Sequence, residues 1–346
     1  MKPGIAAPIL RTVVGLFAVV GVGSCNNNEP VDPGANGLFA AVDLAISRLD
    51  FTRYKAAIAG LAQFGDRLQG TQRNRDALDW LEAQLLSYGY TNVARHPYTY
   101  QGSPRESIYA TKIGSESPDR MYIVSAHMDG RGGGEAADDD ASGCALILEL
   151  ARVLVSADME SRISVRFIFW NNEETGLNGS AAYVATRAAL QGLEDPPGSG
   201  IYPEPTWLGM IQHDMMLFDH GLPPGASQIA GADVDIEYQE ASDQSVASAT
   251  LASRLLDANV RYATDYPAEV SNNMRNTDSH SFRHHVASVS LRENRRQSEI
   301  GAGANPHWHQ ATDLYATYSE ADFRLGFNAA QTTLGAIGEL AGLRVR

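Results

Sequence analysis

At 346 residues the chain can form one large α/β domain or two small ones, and 44% apolar residues is ordinary for a globular core, which argues against disorder. A formal net charge of −14 and a pI near 5.0 disfavour nucleic acid as a partner, since binding phosphate needs a basic face. Only Cys25 and Cys144 are present, so if Cys25 is acylated Cys144 has no partner within the chain and no disulfide framework supports the fold.

Lys2 and Arg11 flank the start of TVVGLFAVVGV, an apolar run of signal-peptide length, too short for an ordinary membrane-spanning helix. The following Val22-Gly23-Ser24-Cys25 resembles the lipobox of bacterial lipoproteins, in which the cysteine is lipidated. The expectation is therefore a signal peptide over residues 1–24 and export to the bacterial envelope, with contact to the membrane only through a lipid on Cys25. Ordinary signal cleavage, giving a secreted protein, is the alternative. NNNEPVDPGANG is polar and rich in Pro and Gly, which marks residues 25–40 as a flexible tether. No second linker of that kind follows, so residues 41–346 read as a single domain.

Within that domain helix-like and strand-like segments alternate. A helical pattern over 75–89 precedes strands at 106–114 and 120–127. A helix at 141–157, a strand at 162–170 and a helix at 176–192 follow. The Pro-rich stretch 193–206 reads as a surface loop, after which come strands near 209–216 and 233–240, a helix at 245–258, a short strand at 287–291 and a final helix at 319–342. This alternation predicts an α/β fold with a mostly parallel, mixed β-sheet sandwiched by helices, whose ligand chemistry gathers at the carboxyl ends of the strands.

Charged residues gather at those ends. RMYIVSAHMD finishes in His127 and Asp129, which strand geometry points to one face, so Asp129 can orient a metal-binding His127. In AADDDASG the acids and Ser142 suit a helix N-terminus, but three consecutive aspartates exceed what a cap needs; a bridging carboxylate is the functional reading. The apolar strand SVRFIFW runs into Glu173 and Glu174, a pair able to divide metal ligation and general-base work. Asp214 falls in an otherwise apolar strand, where a metal would offset its burial, and NPHWHQATD supplies His307, His309 and Asp313. Cys144, in an apolar helix, reads as a buried thiol rather than a nucleophile.

The order His-x-Asp, Asp-Asp-x-Ser-Gly, Glu-Glu-x-Gly-Leu-x-Gly-Ser, buried Asp and Asn-Pro-x-x-His-x-x-x-Asp resembles the co-catalytic di-zinc aminopeptidase family over roughly residues 75–340. That family includes bacterial leucyl aminopeptidases and aminopeptidase Y, with glutamate carboxypeptidase and glutaminyl cyclase as relatives. The resemblance implies a zinc-exopeptidase fold with two Zn2+ ions. His127 and Asp214 would be terminal ligands of one, Glu174 and His309 of the other, with Asp139 bridging, Asp129 orienting and Glu173 as general base. His307 competes for the last position, though its spacing from Asn305-Pro306 and to Asp313 favours His309. Asp278 and Phe282 align with a Ser-Asp-His-x-x-Phe segment in which Ser279 replaces the common histidine, and His280, His284 and His285 offer a separate metal site if they are helical. The implied activity is hydrolysis of peptides with a free N-terminus by a monomeric enzyme through a metal-bridged water. A glutaminyl cyclase-like acyltransferase or a carboxypeptidase or dipeptidase of the same fold are the alternatives. Asp139-Asp140 and Gly-Leu-x-Gly-Ser favour hydrolysis over cyclisation.

Overall fold

The computed structural model describes Met1 and residues 33–131, 133–219, 234–263, 265–295 and 304–346. The expected signal segment, the Cys25 motif and the start of the tether lie outside these residues. The last part of the expected tether is not extended: α1 (Pro33–Ser47) begins inside it. In α2 (Phe51–Ala62) the Asp50 carboxylate accepts from the N–H groups of Thr52 and Arg53, satisfying donors that a helix start leaves open. The third helix, α3 (Gln72–Tyr88), runs from a Thr71 cap to Gly89, whose φ of 108° closes it.

Eight strands form one mixed sheet. They are β1 (Ala94–Tyr100), β2 (Ser103–Lys112), β3 (Ser117–His127), β5 (Ile163–Trp170), β6 (Thr206–His213), β7 (Val234–Tyr238), β8 (Ala268–Ser271) and β9 (Ser288–Arg292), in the order β1-β2-β5-β3-β6-β9-β7-β8. The centre, β5-β3-β6-β9, is parallel, while β1, β2 and β7 pair antiparallel with their inner neighbours. A small second sheet joins β4 (Met159–Ser161) to β10 (Leu343–Val345). The remaining helices are α4 (Gly143–Leu154), α5 (Asn178–Arg187), α6 (Ser245–Tyr262), α7 (Ser279–Phe282) and α8 (Glu320–Leu340).

Strand alternation divides the core in two. Ile108, Ala110, Val124, Ala126, Phe167 and Phe169 face the larger layer, which holds α1, α2, α3, α4, α6 and α8, while Tyr109, Ile123, Ile168 and Trp170 face the smaller one under α5 and α7. Covered on both sides, β5 is buried from Ser164 to Trp170, so its sequence reads as a continuous apolar run interrupted by Arg166. That guanidinium is 2.6 Å from the buried Glu204 carboxylate. No helix among the described residues is long and apolar enough to cross a membrane.

Candidate metal centre

Three neighbouring parallel strands deliver their ends to one place. His127 is the last residue of β3; Asp214 follows β6 directly; Glu173 and Glu174 follow β5 after Asn171 and Asn172. The turn out of β5 needs Gly179 on the adjoining helix, because a Cβ there would stand 2.2 Å from the Asn171 carbonyl oxygen.

The three aspartates before α4 have separate tasks. Asp140 accepts from the N–H of His127 (3.1 Å), Gly143 (2.9 Å) and Met215 (3.3 Å), tying two strand ends to the helix start. Asp138 accepts from the Leu217 N–H at 2.8 Å and from the Asn305 amide at 2.7 Å. Asp139 is left to face the site, and the Asp313 carboxylate holds this segment by accepting from the N–H of Asp138 (2.9 Å) and Asp139 (3.2 Å). Beneath the connecting loop, fully buried Arg67 donates to the carbonyls of Met128 (2.7 Å), Glu135 (2.7 Å) and Ala136 (2.8 Å). Sequence reasoning missed Arg67, because its partners are backbone carbonyls, most of them far along the chain.

Two donor groups result, and they share Asp139: His127, Asp139 and Asp214 in one, Asp139, Glu174 and His309 in the other. His127 Nε2 lies 3.0 Å from Asp139 Oδ1 and 3.9 Å from Asp214 Oδ1; His309 Nε2 lies 3.2 Å from Asp139 Oδ2 and 3.0 Å from Glu174 Oε2. His127 Nδ1 stands 2.8 Å from the Asp129 carbonyl, an oxygen that can only accept, so the neutral ring carries its proton on Nδ1 and turns the Nε2 lone pair inward.

The protein alone does not balance this cluster. Burial pushes Glu173 well above the usual carboxylate range, with Asp214, Asp278 and Glu174 adding to the effect, and burial with Asp139 raises Glu174 to about 7. Burial pulls His309 down, but Asp139 and Glu174 outweigh it and bring the ring up to about 9. Asp214 goes the other way, to about 2, since Arg292 and His127 overcome its desolvation. Glu174 Oε1 is buried with no hydrogen-bond partner. Imidazole and carboxylate donors converging on a shared aspartate, with one carboxylate oxygen orphaned, fit a pair of hard or borderline divalent cations.

The expected residues meet here with one redistribution. Asp129 lies beyond the end of β3, where strand alternation no longer applies. Its carboxylate accepts from the N–H of Glu173 (3.1 Å) and Glu174 (3.4 Å) and stands 3.9 Å from His127 Nδ1, while its backbone carbonyl holds the ring. Asp129 thus positions the glutamates by its side chain and the histidine by its backbone. His307 points away, with Nδ1 2.9 Å from the Thr312 hydroxyl. His280, His284 and His285 form no donor cluster among the described residues: α7 spans only Ser279–Phe282, His284 pairs with Asp243 at 3.0 Å, and His285 meets Trp207 edge-on. Asp278 is buried near the site, raised to about 7 by burial, with Asp129 and Asp214 adding to it, and its Oδ2 accepts from Gln212 at 3.4 Å. Cys144 is buried, with its thiol 3.1 Å from the His127 carbonyl. Arg292, at the end of β9 and 3.1 Å from Asp214 Oδ2, was not singled out by the sequence because its strand is short and ends in an ordinary charged pair.

The sequence model of peptidase family M28 matches residues 108–331, a span that contains both donor groups. The chain belongs to peptidase family M28. Among the curated relatives that the chain matches, a Pyricularia oryzae protein described as a probable zinc metalloprotease is 30% identical over 173 residues, covering 42% of this chain and 34% of that protein. The chain therefore spans about a third of the length of that relative. In fold it is similar to the LapA aminopeptidase of Legionella pneumophila, at 18% identity and a TM-score of 0.67, covering 88% of this chain and 75% of the other. It is also similar to Porphyromonas gingivalis glutaminyl cyclase, at 19% identity and a TM-score of 0.63, covering 85% and 99%. The mixed eight-stranded sheet with helices on both faces is thus the architecture shared with these M28-type structures.

Proposed function

We propose that the chain is a zinc-dependent aminopeptidase that removes N-terminal residues from peptides, with two zinc ions held about Asp139. The observation that carries this reading is the sharing of Asp139 between two otherwise separate donor groups. The descriptions of the Pyricularia and Legionella proteins as a zinc metalloprotease and an aminopeptidase agree with it. Bound there, zinc would supply Lewis acidity toward the peptide carbonyl and make a water nucleophilic near neutral pH.

The protein's own part falls first to Glu173. It belongs to neither donor group, is buried, and has a carboxyl group held well above its ordinary range, so it is suited to take the proton of the attacking water and return it to the leaving amine nitrogen. Asp129 fixes the two adjacent backbone N–H groups, setting where Glu173 and Glu174 point. Arg292 holds one oxygen of Asp214 and leaves the other facing His127. The carboxylates of the site suit a protonated α-amino group on the substrate.

The glutaminyl cyclase fold neighbour makes cyclisation of N-terminal glutamine the rival activity. Completeness of both donor groups favours hydrolysis. Elemental analysis of the zinc-loaded protein should give two zinc ions per chain, and aminoacyl anilides should be cleaved while N-blocked peptides are not. A single zinc with cyclisation of glutaminyl peptides would overturn the reading.

A further inference from the structure

Of the five residues in the two donor groups, His309 has the weakest local support. His127, Asp214 and Glu174 come off strand ends and Asp139 sits in the segment that opens α4, whereas His309 lies in a run of turns between Asn305 and Asp313. Its φ of 55° is the left-handed conformation, which a residue with a side chain rarely keeps unless its surroundings hold it there. Its side chain is 18% exposed, against 6% or less for the other four. The turns close on themselves, with Gln310 N–H donating to the His307 carbonyl (2.9 Å) and Asp313 N–H to the Gln310 carbonyl (3.1 Å). Such bonds do not fix where the ring stands relative to Asp139 and Glu174.

That placement comes from bonds to the glycine-rich loop before α4. Asn305 reaches Asp138, and the Asp313 carboxylate takes the N–H groups of Asp138 and Asp139. These bonds end on the segment that presents the shared Asp139, so they serve both donor groups. Glu135 makes a different attachment. Its N–H donates to the Asp313 carbonyl at 2.9 Å, and its carboxylate accepts from the Tyr315 N–H at 2.7 Å, gripping the chain beyond the histidine. Gly133 and Gly134, with φ of 86° and 74°, permit this approach: a Cβ on Gly134 would stand 3.0 Å from the Asp313 carbonyl oxygen and 3.1 Å from that of Ala311. Arg67 also holds the Glu135 carbonyl at 2.7 Å, so the backbone of Glu135 is fixed apart from its side chain. The carboxylate is thus the part of the clasp that can be changed alone, and its bond to Tyr315 involves no residue of the His127 group.

We propose that Glu135 is a positioning residue for His309, whose carboxylate sets the affinity of the metal position formed by Asp139, Glu174 and His309 and leaves the position formed by His127, Asp139 and Asp214 unchanged. The proposal rests on the two-zinc reading for the occupants, and on the contacts of Glu135 alone for the asymmetry between them.

Zinc titration of the whole chain, with anomalous diffraction at graded zinc to assign each position, tests it. Glu135→Ala should weaken the His309 position by about tenfold or more, the low end of what support behind a metal ligand contributes, and leave the His127 position within about twofold. Glu135→Gln keeps an acceptor oxygen for the Tyr315 N–H and should recover most of that loss. Crystals of the metal-free variants give a readout that needs no metal: in Glu135→Ala the His309 ring should move away from Asp139 and Glu174, while His127 stays beside Asp139. Should Glu135→Ala not fold, Glu135→Asp, which draws the carboxylate back from Tyr315, takes its place in both measurements. A side chain that served only general stability would weaken both positions in parallel. That result, an unchanged His309 position, or a Gln variant no better than Ala overturns the proposal. A parent chain that takes up one zinc would instead sink the two-zinc reading, and the metal-free crystals would then decide the proposal alone.

Discussion

On the proposed function, replacing Glu173 by Gln should separate proton transfer from metal binding, since Glu173 stands beside the proposed ligand Glu174 yet belongs to neither donor group. The side chain is 9% exposed, so bulk water cannot readily take over its task, and Gln preserves its size. Removal of a general base costs about 10² to 10⁴ in rate, or about 2.7–5.4 kcal/mol in the barrier. The loss should therefore appear in kcat, with zinc content unchanged at two per chain. A second effect has the opposite sign. Burial raises the Glu173 carboxyl in the folded chain, so above its unfolded value near 4.3 the ionised group opposes folding. Gln removes that opposition, and the metal-free variant should melt at a higher temperature than the metal-free parent at pH 7. Elemental analysis, steady-state kinetics and thermal unfolding on the same preparation supply all three numbers. Loss of zinc together with activity, or a lower metal-free Tm, would refute the division of roles between Glu173 and Glu174.

Asp139→Asn should behave in the contrary manner, weakening both metal positions together, because Asp139 is the one residue common to both groups; retention of one zinc at full affinity would refute the bridging role, read by zinc titration. For pH, His309 has a folded value of about 9 against an unfolded value near 6.5, so its stabilisation of the metal-free chain is complete below about 6.5 and is lost as pH rises toward 9. Zinc must displace that same proton, so the Tm increase on adding zinc should grow across this window; a constant increase would contradict it. If Val22-Gly23-Ser24-Cys25 is a lipobox, Cys25→Ser should abolish lipidation and release the protein from the membrane fraction. Unchanged mass and unchanged membrane association in that variant would dismiss the lipobox.

The site was legible in the sequence wherever an apolar strand ran straight into an acid or a histidine. β3 and β5 did so, and their ends, His127 and Glu173-Glu174, stand where the pattern put them. Roles set by tertiary reach were not legible. Arg67 bonds to carbonyls that carry no side-chain signal, Asp313 acts through backbone N–H groups, and Arg292 closes on Asp214 from another strand. Asp129 shows the limit of a period-2 argument, which holds only while the chain remains a strand. In the fold, α2 and β1 went unread: α2 is a mixed-polarity segment, and β1 carries Pro97 and His96 on the edge of the sheet, where neither disturbs a central ladder.

The hydrogen bonds from Asp138 and Asp139 to Asp313 cross 175 and 174 positions of the chain. Contacts of such span form late, because closing a long loop costs entropy before any contact rewards it. During synthesis the strands that carry His127, Glu174 and Asp214 are complete well before His309 and Asp313 have emerged. A nascent or frayed molecule is thus a sheet without a cutting edge. The donor group that needs His309 is therefore complete only with the finished tertiary structure, and on the proposed function this order would withhold peptide cleavage while the chain's own unfolded segments are exposed.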